Sequence, residues 1–125
     1  MKIWKEFGSS HSANVTIVGK FSDVKKAALL EEAIRDLCEN FDIRECQENA
    51  ESPSQAFKRK WEEKITIYGF TDDDVDIGSQ TNTAVNLQGD KLTVQPGDSS
   101  NIYGIIKLLM YNEATEIKMT GPFHP

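Results

Sequence analysis

Apolar residues at Val24, Ala27, Leu30, Ala33, Ile34, Leu37, Cys38 and Phe41 recur at spacings of three and four. An α-helix turns once in about 3.6 residues, so this spacing collects all eight side chains on one face. It predicts a helix from about Asp23 to Phe41, with Ser22 as N-cap and Asp23 in the first turn, where the helix dipole favours an anion. A second segment, capped by Ser99 or Ser100, carries Ile102, Ile105, Ile106, Leu109 and Met110 on one face. Each helix has one greasy face to bury. The simplest partner for both is one side of a β-sheet.

The strands to build that sheet are legible as period-two or β-branched runs. Ile3, Lys5 and Phe7 alternate with Lys2, Trp4 and Glu6, and Asn14 to Phe21 is rich in Val, Thr and Ile. Lys64 to Phe70 reads as another strand, and Glu116 to Thr120 as the last. Ala84–Gln88 and Lys91–Gln95 flank Gly89-Asp90, a two-residue hairpin signal. Ser52-Pro53-Ser54-Gln55 is a capping box with proline at the first helical position, so a short helix bearing Phe57 and Trp61 follows it. Those two aromatics are read as an anchor on the domain edge. Residues 42–52 read as a connection, and 71–83 as an exposed acidic excursion.

The expected fold is therefore α+β: a mostly antiparallel sheet with two main amphipathic helices on one face. Without the first strand the order is β-α-β-β-α-β with the middle hairpin elaborated, which predicts a ferredoxin-like arrangement with extra strand and hairpin elements. A chain of 125 residues has the length of one domain, taken as residues 1–125.

Composition narrows the function classes. No run of about 18 apolar residues occurs, so no membrane span is expected, and the polar start argues against a secretory signal. A cytoplasmic protein with reduced, structural Cys38 and Cys46 is expected. No C-x-x-C and no histidine–cysteine spacing suggests a metal, and no Gly-rich phosphate loop suggests a nucleotide, so no cofactor is expected. The net charge of −6 disfavours nucleic acid and would suit a basic protein partner.

Three clusters carry candidate chemistry. Gly8-Ser9-Ser10-His11-Ser12 places an imidazole among hydroxyls in a loop, making His11 the candidate catalytic or ligand-binding residue. No partner carboxylate or nucleophile elbow accompanies it. Asp72, Asp73, Asp74 and Asp76 form an acidic run that fails the calcium-loop pattern, since Ile77 and Thr83 occupy its diagnostic places. Its expected role is a solvated loop or a docking surface for a basic partner. Lys58-Arg59-Lys60 lies on a helix beside Glu62 and Glu63 and reads as a solvated face.

The opening Lys2-Ile3-Trp4-Lys5-Glu6-Phe7-Gly8-Ser9-Ser10-His11-Ser12-Ala13-Asn14, with Val18-Gly19 and Phe21, resembles the start of a small bacterial domain family of unknown function. Its pattern is K-I-W-x-x-[FY]-G-S-x-H-S before a strand ending I-G-x-F. The resemblance implies no activity or substrate. It marks Trp4, Gly8, Ser9, His11 and Ser12 as positions to test. The expected function is a non-catalytic protein-binding or regulatory module of the bacterial cytoplasm. Two other expectations stand beside it: an immunity- or antitoxin-like acidic protein neutralising a basic partner, and a small enzyme or ligand-binder using the His11 loop. A sheet covered on one side leaves its other face open to a homo-oligomer.

Overall fold

The structure is a computed structural model that describes residues 15–38, 43–75, 83–96 and 102–121. Strand β1 spans Thr16–Phe21, helix α1 Val24–Cys38, α2 Ile43–Asn49 and α3 Pro53–Trp61. A 3₁₀ turn at Asp72–Asp74 precedes β2 (Ala84–Gln88), β3 (Lys91–Gln95), α4 (Ile102–Tyr111) and β4 (Ala114–Thr120). The four strands form one antiparallel sheet in the order β2-β3-β1-β4. This is the expected α+β class. The expected strand near Ile3 lies outside the described residues.

Strand alternation decides where the core sits. Ile17 and Phe21 of β1, Val85 of β2, and Leu92 and Val94 of β3 are buried on one side of the sheet. Leu30, Ile34 and Leu37 of α1 and Ile105, Leu108 and Leu109 of α4 fill the same core and are fully buried. Gly19 belongs to this packing. A Cβ there would stand 3.1 Å from Leu109 Cδ2 and 3.2 Å from Phe21 Cε2. The hairpin forms as expected, with Gln88 opposite Lys91 and Gly89 at φ 61°, which a type II′ turn asks of its first central residue.

The edge of the sheet is also guarded. Glu31 accepts a hydrogen bond from Leu87 N–H at 2.9 Å, and Arg35 donates to the Val85 carbonyl at 2.8 Å. Both side chains reach down from α1 to the outer strand β2. They occupy backbone groups that would otherwise invite another strand.

Several sequence expectations need correction. The cap of α1 is Asp23, whose Oδ1 accepts from the Lys25 and Lys26 N–H groups, and Val24 is exposed. Residues 43–49 are helical, not a plain connection. The residues around buried Cys46 are polar and bound by ion pairs, so no apolar period announces the helix: Glu45 meets Arg59 and Lys60 at 3.0 and 2.9 Å. On α4, Met110 is exposed and Leu108 is buried. The capping box at Ser52 forms as read, with Gln55 Oε1 accepting from Ser52 N–H at 2.8 Å. Phe57 is fully buried, and Trp61 packs at the core edge, donating to Asp36 at 2.8 Å.

The largest correction concerns Lys64 to Phe70, which joins no ladder. Its place is taken by one side chain. Asn112 is buried just after α4; its Oδ1 accepts from Thr66 N–H at 2.7 Å, and its Nδ2 donates to the Thr66 carbonyl at 2.8 Å. A single amide thus gives Thr66 the two bonds a neighbouring strand would have supplied. Ile65 and Phe70 are buried at either end, and Phe70 stacks on Phe57 with ring centroids 5.4 Å apart. Asn112→Ala would leave both backbone groups without these bonds, so it should cost about 2–3 kcal/mol in urea unfolding.

The helix-free face of the sheet

The same alternation that buries Ile17 and Leu92 sends their neighbours to the other side. Thr16, Val18 and Lys20 of β1 point away from the helices, as do Lys91 and Thr93 of β3 and Glu116, Lys118 and Thr120 of β4. Val18, Lys20, Lys91, Thr93, Glu116, Lys118 and Thr120 line a groove of about 330 Å³ on this face. Ligand clefts begin at about that size.

Cross-strand register sets the electrostatics. Lys20 lies directly opposite Lys91 on β3 and opposite Glu116 on β4, while Val18 lies opposite Thr93 and Lys118. Two ammonium-bearing residues paired across the central strands repel, at a cost of about 0.2–1 kcal/mol. Glu116 stands between two of the lysines, 4.0 Å from Lys20 Nζ and 3.8 Å from Lys118 Nζ. These pairs are open to water and contribute little stability. Among the described residues no carboxylate lies within ion-pair distance of Lys91. Three lysines against one glutamate make this face basic, in a chain of net charge −6.

The acidic run divides: Asp72 and Asp73 are exposed, as a solvated loop would have them, and Asp74 is not. Asp72 accepts from Ser54 N–H at 2.9 Å, and that hydrogen bond holds its carboxyl below the usual aspartate value. Asp74 is buried, not solvated: it accepts from Thr71 N–H at 2.9 Å and meets Lys107 Nζ at 2.8 Å. Gly104 of α4 lies so close that a Cβ would stand 3.0 Å from the Asp74 carbonyl oxygen. Asp73 is exposed. Asp76 and the whole loop from Trp4 through Gly8, Ser9, Ser10, His11 and Ser12 lie outside the described residues. Among the described residues no three His, Cys, Asp or Glu side chains converge to hold a metal ion.

Residues 1–120 match a family model described as a family of unknown function, DUF6375. The chain belongs to that family. No curated protein and no solved structure matches it. In this DUF6375 chain the basic face escaped sequence reading, because Lys20, Lys91 and Lys118 are far apart in the chain. Only the alternation of lysine with buried residues along each strand signalled it. Among the described residues no helix is long and apolar enough to cross a membrane. A small aromatic patch stands elsewhere: Tyr68 meets Tyr111 edge to face at 5.3 Å, beside exposed Met110.

Two measurements test these electrostatics. Lys91→Gln should stabilise the fold by about 0.5 kcal/mol at low salt, with the gain shrinking as salt screens the pair, followed by urea midpoints. Asp72 has a lowered carboxyl, so its contribution is present above the unfolded value and lost as pH falls through the folded one. Between about pH 5 and pH 2, Asp72→Asn should therefore lose less stability than the wild type.

Proposed function

We propose that this chain is a non-catalytic protein-binding module of the bacterial cytoplasm, and that its binding surface is the helix-free face of the sheet. One observation carries the reading: the sheet presents a lined groove on the side that neither α1 nor α4 covers. The outer edge of β2 is a poor alternative, because Glu31 and Arg35 already occupy its backbone groups. Among the described residues the groove offers lysines, threonines and a glutamate, but no cysteine or histidine to serve as a nucleophile or a base near neutral pH. That set suits holding a partner better than transforming one.

The strand order β2-β3-β1-β4, with one long helix between β1 and β2 and another between β3 and β4, supports a ferredoxin-like arrangement. In that arrangement the helices share one face of the sheet and the opposite face is free for contact. A basic partner at the acidic run has less support than the sequence suggested, since Asp74 is buried against Lys107 and the exposed Asp72 already accepts from Ser54 N–H.

A photo-crosslinker attached at Thr93→Cys, on the groove, tests the surface directly when the protein is expressed in its host. It should trap a discrete protein partner that excess unlabelled protein competes away, while the same probe at the exposed position Glu32→Cys on α1 should not. Trapping from Glu32, or from a probe at Tyr68 alone, would place the interface elsewhere and sink the reading.

A further inference from the structure

Building on the reading of the helix-free face as a docking surface, we infer that its partner is an acidic polypeptide segment, opposite in sign to the partner that the net charge of the chain suggests. The groove is lined by three lysines and one glutamate, whereas the chain as a whole carries −6. Lys20 and Lys91 face each other across the two central strands. Folding alone gains nothing from that juxtaposition. A carboxylate placed between the two ammonium groups turns the repulsion into two attractions.

The face also narrows the class of anion. The Lys20 and Lys118 side chains are 43% and 73% exposed, so a small free anion would meet them in nearly bulk water, where a single contact is weak. A chain segment presenting several carboxylates meets several lysines at once. Lys20 and Lys91 share one row across the sheet, and Lys118 stands in the next, two residues along β1. Carboxylates three or four residues apart on a helix are spaced about 5–6 Å, which matches neighbouring positions on such a face. Nucleic acid fits less well, because among the described residues no aromatic side chain lines the groove to stack a base. A second copy of this chain as a stable dimer fits less well too. Among the described residues Val18 is the only aliphatic one in the lining, and obligate interfaces have apolar centres. The contact is charge-led and reversible.

The experiment is an amide chemical-shift titration of the full chain with a synthetic helical peptide of Glu-Ala-Ala-Ala-Glu repeats. Its counterpart with lysine for glutamate and a short oligothymidine are the counter-probes. The glutamate peptide should shift residues around Val18, Lys20, Lys91, Thr93 and Lys118 saturably. Affinity should fall roughly tenfold as salt rises from about 20 to about 200 mM, where screening shortens the reach of each charge. Combining Lys20→Glu with Lys91→Glu should abolish that binding and create binding of the lysine peptide, with the remaining amide spectrum unchanged. Glu116→Gln should tighten binding of the glutamate peptide severalfold.

The inference fails if the lysine peptide shifts the same amides of the wild type, if charge reversal leaves glutamate-peptide binding intact, or if oligothymidine binds more tightly. It fails equally if sedimentation shows a dimer that Lys20→Glu dissolves, since the occupant would then be a second copy. Crosslinking from Thr93→Cys together with a silent glutamate peptide would keep the docking surface and discard the acidic partner. Loss of both would discard the surface itself.

Discussion

Strand β1 is the member on which the rest of the sheet depends. It hydrogen-bonds β3 on one side and β4 on the other, so both chain-distant halves of the sheet meet through it. Side chains alternate strictly along a strand, and a slip of one residue would exchange Ile17 and Phe21 for Val18 and Lys20 in the core. Burying a lysine without a partner is far costlier than burying an isoleucine is favourable. The register is thereby set. The same constraint that secures the core also forces Lys20 onto the opposite face, beside Lys91 and Glu116. The basic groove is a by-product of the alternation in position, though not in residue type.

The described helices complete the arrangement by covering one side. Close approach of α4 depends on Gly19 beneath Leu109 and on Gly104 against the 3₁₀ turn at Asp74. The turn in turn is fastened by the half-buried contact between Asp74 and Lys107. An acidic run that resembles a solvated loop is in this way partly a clasp for α4. Two aspartates go into folding contacts, and the exposed positive charge on the far side of the sheet stands out more.

Much of the fold was legible because its determinants are local. The stripe from Ala27 to Cys38, the Gly89-Asp90 turn and the Ser52 capping box each depend on neighbours within a few residues, and each formed as read. The failures share a physical cause as well. Lys64 to Phe70 has the composition of a strand, but a strand needs a partner, and the one it meets is the Asn112 side chain. Residues 43–49 form a helix beside α3 with Cys46 buried and Glu45 ion-paired to Arg59 and Lys60, a pattern no periodicity reveals.

The sequence by itself determined the α+β class, the two amphipathic helices and the hairpin, because hydrophobic period and turn chemistry act over short spans. It also located the aspartate run and the histidine loop as unusual clusters, though it could not say which aspartates would be buried. Tertiary structure alone decided that Asp74 pairs with Lys107 and that Lys20, Lys91 and Lys118 share one groove. Contacts between residues tens of positions apart are set by strand pairing and helix packing. Their neighbourhood exists only once β1 has chosen both its partners.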